Sequence, residues 1–453
     1  MAEHEQTLES LAAAVSQAAK AITSYLNAHS LTLPSFSEDG PADYPKAPEL
    51  SEARFQLLES LMDMTHLALG PTDFSLTQPL FANHDGMTLD ILTEFGFFSA
   101  VPLGGSATYG EIARATTLPE SIVRRVLRYA ATLRLFAEAP LGSDNIVHTA
   151  TTAYLARNPK MQSWVSHMMQ EGRPAVMHGT ESLRKYSAGR ELPSQEVIEA
   201  GFSLADLDKT GHPVSYWDYV KHTPEGKPAG FRAKRFAEAM QAATAASATN
   251  PTEVIKFGFD WESLGEATVV DMPISLTKVG GSSGHVSLLL ANAFPKLNIV
   301  VQDMAETEGA FHALIPPELR SRVTFQPHDF FNPQPTPADV YLLKSILHDW
   351  SDKYATEILR NLLVTLKPGG RILLCEPVNP PTYDSEGKPS LPGLVRRTIA
   401  AADLQMLVGC SSLERSLEDW QRVAKLTDER LQARRLPAFP QSHLAMVELV
   451  CEA

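Results

Sequence analysis

The chain has 453 residues, enough for roughly two or three domains, and a formal net charge of −14. This acidic balance argues against nucleic acid as the main partner, because phosphate binding needs a basic surface. Three cysteines without paired spacing indicate a reducing compartment and no zinc-site pattern, so no metal is expected. No apolar run reaches transmembrane length and no signal-peptide core is present, so we expect a cytoplasmic protein that does not enter a membrane.

An amphipathic helix is predicted over residues 7–29, where apolar residues recur at helical spacing. The proline-rich sequence LPSFSEDGPADYPKAPEL follows and indicates an extended loop. A helix isolated on such a loop is expected to pack on another part of the protein or on another subunit. Further helices are predicted over residues 51–70 and 76–84.

A helix-turn-helix pattern comes next, with YGEIARAT, a turn at Pro119 and SIVRRVLRYAATLRL. The segment after it resembles the small hairpin of a winged helix. Arg124, Arg125 and Arg128 on the second helix would suit DNA binding. The alternative is a packing or dimerisation module whose arginines are solvated, and the acidic charge of the chain favours this alternative.

Residues 150–250 are predicted to be mostly helical, but from about residue 253 short apolar runs alternate with helical segments. The runs are ATVVDM, LNIVVQDM, RVTFQPHD, DVYLLKSI and RILLCEPV. This alternation predicts a parallel sheet covered by helices.

A glycine-rich turn between the first of these strands and the next helix predicts a site for a nucleotide-like ligand. Gly280, Gly281 and Gly284 precede the helix HVSLLLANAF, whose N-terminus offers free N–H groups. The following strand ends in Asp303, and an acid at that place can accept hydrogen bonds from both ribose hydroxyls. No GKS or GKT sequence is present, so a triphosphate loop is not expected.

Six segments then run in the order and spacing of the S-adenosylmethionine-dependent O-methyltransferases. They are VVD…VGGSSGH, VVQDM, HDFF, YLLKSILHDW, LKPGGRILLCEPV and LERSLEDW. Nearly the whole chain resembles the large fungal branch of that family, which is similar to the plant caffeate and flavonoid O-methyltransferases. The resemblance implies an α/β fold, with a Rossmann-like class I methyltransferase domain over 253–453 preceded by an all-α, winged-helix dimerisation domain over 46–155. It also implies a helical arm over 1–45, a substrate-pocket region over 156–252, and a homodimer.

The resemblance implies S-adenosylmethionine as cofactor and assigns its contacts. Gly280, Gly281 and Gly284 resemble the loop around the methionine part of the cofactor. Asp303 resembles the acid that binds the ribose, and Asp329 resembles the residue beside the adenine amine. Lys344 resembles a further contact on the cofactor side.

Methyl transfer needs an acceptor hydroxyl that loses its proton, and histidine commonly serves as the base. His348 follows the strand YLLKSI, at the end where open α/β sheets hold ligands, and it resembles the catalytic base of the family. Glu376 and Glu414 resemble the acids that orient this histidine. A carboxylate that accepts from one ring nitrogen fixes the tautomer and leaves the other nitrogen free. The predicted substrate is a phenolic or enolic fungal secondary metabolite.

A second reaction class is open. Some fungal proteins with this pattern resemble pericyclases, which dehydrate or cyclise polyketide-derived quinone methides by Diels–Alder, hetero-Diels–Alder or Alder-ene steps. Such a site needs an apolar cavity and a few groups that polarise a carbonyl, and Lys344 and His348 could do so. The retained His348, Glu376 and Glu414 favour methyl transfer. The candidate pocket residues fit either reaction: Trp164, Met168, Met169 and Met406.

Seven residues, Met272–Lys278, separate Asp271 from the glycines, whereas in the family the acid directly precedes them. Deleting them restores VVDVGGSSGHVS. A genuine insertion would displace Asp271 and weaken or change cofactor binding. Alternatively, the residues come from a mis-chosen splice site in the gene model, since Leu276, Thr277 and Lys278 can be encoded as CTAAC followed by AAG, which resembles the end of an intron.

Overall fold

A computed structural model of the chain describes residues 6–246, 251–273, 284–383, 386–436 and 444–451. It divides into two compact units. The first comprises Met1–Gln170 and Ser385–Thr398, and the second comprises Glu171–Asp384 and Ile399–Ala453.

The first unit is mostly helical and contains a small antiparallel sheet. Its helices are α1 (Leu8–Ala28), α2 (Pro48–Glu94), α3 (Phe97–Ala100), α4 (Tyr109–Thr116), α5 (Glu120–Thr132), α6 (Ala150–Arg157) and α7 (Pro159–His167). Its strands are β1 (Ala107–Thr108), β2 (Ala137–Glu138) and β3 (Asn145–Val147), in the order β1–β3–β2. The predicted helix-turn-helix corresponds to α4 and α5, and the predicted hairpin to β2 and β3.

The predicted N-terminal helix is present as α1, and it packs on α2 of the same chain. Thr7 caps α1 by accepting a hydrogen bond from the Ser10 amide. Helix α2 leaves helical geometry at Gly70, where φ is 65°, so it consists of two segments. The second segment is longer than predicted, because Pro71 is tolerated in the first turn of a helix.

Arg124, one of the three arginines that would suit DNA binding, is engaged within the chain. It forms ion pairs with Glu120 and Asp144, each at 2.8 Å, and its guanidinium lies 4.3 Å from the centre of the Tyr109 ring. These contacts join α5 to the loop of the hairpin. They give Arg124 a structural role in the winged-helix fold.

The second unit contains a seven-stranded sheet in the order β6–β5–β4–β7–β8–β10–β9. The strands are β4 (Ala267–Met272), β5 (Leu297–Asp303), β6 (Val323–Pro327), β7 (Ala338–Lys344), β8 (Leu366–Pro377), β9 (Leu431–Arg435) and β10 (Leu444–Cys451). The five predicted strands are confirmed as β4 to β8 and run parallel. Two further strands that the sequence did not predict, β9 and β10, pair antiparallel beside β8, so the complete sheet is mixed.

Several helices complete the second unit. They are α8 (Arg173–Tyr186), α9 (Gly201–Leu204), α10 (Tyr216–Lys221), α11 (Phe231–Ala246), α12 (Pro251–Phe257), α13 (His285–Ala293), α14 (Glu308–Leu314), α15 (Asp352–Leu363), α16 (Gly393–Cys410) and α17 (Leu417–Thr427). Helix α16 has residues in both units. Among the described residues, none of the helices is long and apolar enough to cross a membrane.

Two apolar cores occupy the two faces of the sheet. One contains Trp420 of α17, and the other contains Trp261, both almost fully buried. Strands buried on both faces carry continuous apolar runs, as the predicted strands do. Polar side chains are therefore concentrated at the carboxyl ends of these strands, where open α/β sheets bind their ligands.

Candidate active site

His348 lies in a tight turn between β7 and α15. The strand ends at Lys344, and a 3₁₀ turn spans Leu347–Asp349. Ser345 takes a left-handed conformation with φ of 51°, which is costly for a residue with a side chain. Its amide donates to the Cys375 carbonyl at 3.0 Å, so the neighbouring strand holds the turn at this point.

Glu376, at the end of β8, binds the backbone of this turn. Its Oε1 accepts hydrogen bonds from the amides of Ile346 at 2.9 Å and Leu347 at 2.8 Å. The side chain is fully buried, and Oε2 has no hydrogen-bond partner among the described residues. Glu376, predicted to orient the ring of His348, thus binds the main chain of the turn instead. Among the described residues, the His348 ring donates no hydrogen bond to Glu376.

Arg415 holds the same turn from the carbonyl side. Its guanidinium donates to the carbonyls of Leu347 and Trp350, both at 2.8 Å, and forms an ion pair with Asp352 at 2.8 Å. The arginine side chain is fully buried. Glu376 and Arg415 therefore bind two amides and two carbonyls of the turn and hold it from both sides.

Glu414 contacts the imidazole directly. Its Oε1 lies 3.0 Å from His348 Nδ1. The segment is held in place by Asp403, whose carboxylate accepts from the Glu414 amide at 2.8 Å, and by Asn379, whose amide donates to the Glu414 carbonyl at 2.7 Å. With Glu414 at Nδ1, the ring nitrogen left for a ligand is Nε2.

Asp349 approaches the ring from the other side, with Oδ1 3.8 Å from His348 Nε2. Burial disfavours the charged imidazole, but Asp349 and Glu414 outweigh it and raise the pKa of His348 to about 10. Burial also raises the pKa of Asp349 to about 7, against the opposing effect of His348. The pKa of Glu376 is raised by burial as well. The cluster therefore combines a cationic ring with acids that retain protons more readily than usual.

Acids also stand at the ends of the strands next to β7. Asp271, in β4, is buried and keeps register with Val301 and Leu342 of the two neighbouring strands. Its Oδ2 accepts from Ser287 Oγ at 2.5 Å, and burial raises its pKa to about 6. Strand pairing on both sides fixes Asp271 within β4, whereas its position relative to Gly280 and Gly281 stays a prediction, because these glycines lie outside the described residues.

Asp303 is buried at the end of β5, where its Oδ1 accepts from the Met304 amide at 2.7 Å. Asp329 follows β6 in an exposed turn and accepts from the Phe331 amide at 3.0 Å. Lys344 ends β7, so the sheet order brings Asp303, Asp271 and Lys344 to adjacent strand ends.

Gly284 is the described member of the predicted glycine turn. It precedes α13 with φ of 99°, and a Cβ there would lie 3.3 Å from the Phe311 ring. Glycine is therefore required at this helix start. Gly280 and Gly281 lie outside the described residues, as does most of the segment Met272–Lys278. Met272 itself is buried in β4 and pairs with Leu343.

Aromatic side chains surround the turn after His348. Trp350 stacks with Trp217 of α10, with ring centres 6.0 Å apart, and packs edge-on against Phe331 at 4.8 Å. Of the predicted pocket residues, Met406 belongs to the second unit and the other three, Trp164, Met168 and Met169, belong to the first.

Four functional groups escaped prediction: Asp349, Asn379, Asp403 and Arg415. Asp349 directly follows the predicted base in LHDW, and Arg415 directly follows Glu414 in LERS. Adjacency to a predicted site residue is a detectable signal for these two. Asn379 and Asp403 act through contacts with the Glu414 backbone, and no local pattern marks such residues.

Comparison with known proteins places these features in a family. The sequence profile of the O-methyltransferase domain matches residues 264–427. O-methyltransferase lcsG of Purpureocillium lilacinum is 34% identical over 76% of this chain and 73% of its own length. The grayanic acid biosynthesis cluster O-methyltransferase of Cladonia grayi is 34% identical over 90% of this chain and 80% of its own length. A solved pericyclic reaction enzyme shares the fold, with a TM-score of 0.67 and 20% identity over 98% of this chain and 100% of that chain. Since the similarity to the curated relatives extends over most of their length, the chain belongs to the O-methyltransferase family.

Proposed function

We propose that the protein transfers a methyl group from S-adenosylmethionine to a phenolic or enolic hydroxyl of a fungal secondary metabolite. S-adenosylmethionine is the methyl donor of the family to which the chain belongs. The observation that carries the proposal is the His348–Glu414 contact of 3.0 Å at the strand end beside the acids of β4 and β5. That arrangement supports a proton-transfer role for His348 close to the proposed nucleoside site.

The described residues fit the cofactor. Asp303 presents a buried carboxylate at the strand end where ribose hydroxyls bind, and Gly284 opens a helix whose backbone can be approached closely. Asp329 would lie beside the adenine amine, and Lys344 would contact the cofactor from β7. When bound, S-adenosylmethionine supplies an electrophilic methyl group.

On the acceptor side, His348 is proposed to face the hydroxyl through Nε2 and to take part in removing its proton. Glu414 fixes the ring through Nδ1, so the ring cannot rotate away from the acceptor. Glu376 and Arg415 hold the turn that carries His348. The oxygen is thereby positioned for in-line attack on the methyl carbon, which requires a fixed geometry.

Two arguments support a phenol or an enol as the acceptor: the acidity of such hydroxyls and the name of one relative. A phenol or enol loses its proton more readily than an alcohol, so a site with one ionisable pair can activate it. The relative from Cladonia grayi is named for a biosynthetic cluster, and this supports a secondary metabolite as substrate. The aromatic side chains of Trp350 and Trp217 would pack against a planar acceptor.

The test is an assay of the full chain with S-adenosylmethionine labelled in the methyl group and a panel of acyl phenols and cyclic β-dicarbonyl enols. Mass spectrometry should detect a labelled methyl ether together with an equal amount of S-adenosylhomocysteine. A pericyclase would instead convert a quinone-methide precursor to an isomer without consuming the cofactor. Cyclisation of such a precursor, with no methylation of any acceptor, would favour the pericyclase alternative and contradict the proposal.

We also propose a homodimer formed through residues 1–150. Large apolar side chains are exposed along α2, among them Leu76, Leu80 and Phe81. Exposed apolar surface of this kind is typical of an interface. Removing residues 1–45 should uncover more of it, for example Leu50, and cause aggregation or dissociation, measured by light scattering. A truncated protein that remains the same dimer would contradict this assignment.

A further inference from the structure

We propose that Asp349 is a further catalytic residue that shares a proton with His348 Nε2, so that the Asp349–His348 pair, rather than the imidazole alone, deprotonates the acceptor. This inference rests on the proposed function, since it concerns the same site. The evidence is the placement of four acids: the three that act on the imidazole and Asp403, which binds the Glu414 amide.

Three of these acids already bind other groups of the protein or are buried away from solvent. Glu414 is bound to Nδ1, and its side chain is only 4% exposed. Glu376 is fully buried and accepts from two backbone amides. Asp403 accepts from the Glu414 amide. None of the three lies beside Nε2, the nitrogen on which the acceptor must bind.

Asp349 differs from these acids in each respect. Its Oδ1 lies 3.8 Å from Nε2, and its side chain is 13% exposed, close to the 18% of His348. Within the described ranges, no group donates a hydrogen bond to its carboxylate. Asp349 therefore has a free acceptor 3.8 Å from Nε2, just beyond hydrogen-bonding distance of the nitrogen that faces the acceptor.

The charges around the ring decide where a proton can go. Glu414 faces the ring from the loop before α17, Glu376 from the end of β8, and Asp349 from its own turn, while Asp403 faces Glu414 from α16. The guanidinium of Arg415 is already paired with Asp352. With several carboxylates around one imidazole, the cationic ring is favoured and the acids cannot all be charged.

The electrostatics agree with this geometry. Burial lowers the pKa of His348, but Asp349 and Glu414 raise it to about 10, which favours the ring with both nitrogens protonated. The pKa of Asp349 is raised to about 7 by burial, which is close to the value that suits a general base. Between these two values the pair consists of an imidazolium and a carboxylate.

The reaction balances as follows. The resting pair holds one proton on Nδ1, towards Glu414, and one on Nε2, towards Asp349. The acceptor O–H bond breaks, its proton passes to Asp349, and the oxygen keeps the electron pair. That oxygen bonds to the methyl carbon while the S–C bond breaks and its electron pair stays on sulfur. The proton on Asp349 then leaves to solvent, and the imidazolium stabilises the oxygen anion throughout.

The first test follows the ring of His348 in the free protein, where no acceptor is required. Histidine labelled with ¹³C and ¹⁵N is introduced into the full chain, and His348→Asn identifies the signals of this ring. We expect the wild-type ring to stay doubly protonated between about pH 6 and pH 9. Asp349→Asn should lower its midpoint by at least about 1 pH unit, because one neighbouring negative charge is lost.

The matched control is Glu418→Gln, which removes an exposed acid of α17 and should leave the midpoint unchanged. If Asp349→Asn does not fold, as judged by circular dichroism, Asp349→Ser takes its place. A wild-type ring that is neutral at pH 7.5, or a midpoint that does not respond to the loss of Asp349, would overturn the inference.

The second test uses any acceptor that the labelled-methyl assay identifies. Asp349→Asn should reduce kcat by about 10²-fold and abolish the rise of kcat with pH near 7, with little change in acceptor KM. The double variant His348→Asn/Asp349→Asn should be no more than about threefold slower than the slower single variant, because the two residues act as one unit.

The role of Asp349 and the methyltransferase function can be contradicted by different results. Methyl transfer with an unchanged pH profile in Asp349→Asn would overturn the role of Asp349 and leave the methyltransferase function intact. Failure of every acceptor would count against the proposed function, whereas the titration of His348 would still decide whether the pair exists.

Discussion

The acceptor side and the cofactor side of the sheet both carry buried acids, yet these acids meet different partners. Beside β7 and β8, Asp349, Glu376 and Glu414 surround one imidazole. Beside β4 and β5, Asp271 is bound by a serine hydroxyl and Asp303 by a backbone amide. A carboxylate next to an imidazole can exchange a proton, whereas one next to neutral donors can only accept hydrogen bonds. The same residue type thus meets an ionisable partner at one set of strand ends and neutral donors at the other.

The largest effect is expected from the residue that secures the acceptor side. Arg415→Met removes a buried guanidinium that binds two carbonyls and Asp352. It should lower the free energy of unfolding by about 3–5 kcal/mol, because Asp352 and the carbonyls lose their partner. Urea unfolding followed by circular dichroism measures this change. Exposed Arg125→Met is the control, and a loss below about 1 kcal/mol in Arg415→Met would contradict the assigned role.

His348→Ala tests the acceptor side directly. We expect methyl transfer to fall by at least about 10²-fold, the usual scale for loss of a proton-transfer group. Cofactor affinity, measured by calorimetry, should hardly change, because the ring points to the acceptor. Near-full turnover in this variant would show that His348 takes no part in the chemistry.

The cofactor side is tested by deleting Met272–Lys278. The deletion places Val279 directly after Asp271, where Met272 now continues β4. We expect S-adenosylmethionine to bind at least about 10-fold more tightly, about 1.4 kcal/mol, because a shorter connection holds the glycines beside Asp271. Both proteins should fold, since closing a loop costs little by length alone.

Equal affinities in this comparison would mean that the inserted residues are tolerated without effect. Tighter binding by the unmodified chain would mean that they contribute to the site. Sequencing the transcript addresses their origin separately: a message that keeps the corresponding bases in most copies would exclude the splice-site explanation.

The smallest effect concerns the hydrogen bond between Ser287 and Asp271. Because burial raises the folded-state pKa of Asp271 from 3.8 to about 6, its ionisation costs stability as pH rises from about 4 to 6. Ser287 opposes that increase, so Ser287→Ala should raise the pKa further and cost about 1–2 kcal/mol at pH 8. Urea unfolding should show a clearly smaller cost at pH 4. A cost that does not vary with pH would contradict the link to Asp271.

Local sequence patterns were sufficient for the five parallel strands, β4 to β8. The apolar runs ATVVDM and LNIVVQD coincide with β4 and β5, because strands buried on both faces need continuous apolar residues. Strand β10 was missed although it is as apolar, since Glu448 interrupts its pattern. The structure resolves this by burying Glu448 between Arg371 and Arg434, at 2.8 and 2.6 Å, a pairing that depends on three separate strands.

By itself, the sequence determined the fold class, the family and the position of His348 at the end of β7, because periodicity, glycine turns and motif order are local properties of the chain. The tertiary structure alone decided how the acids divide their roles. Glu376 lies 28 residues from His348 in the chain and Glu414 lies 66 away, yet one binds the backbone of the turn and the other binds the ring. Such roles depend on distance, burial and the direction of a donor, and these are fixed only when β7, β8 and the segment before α17 pack together.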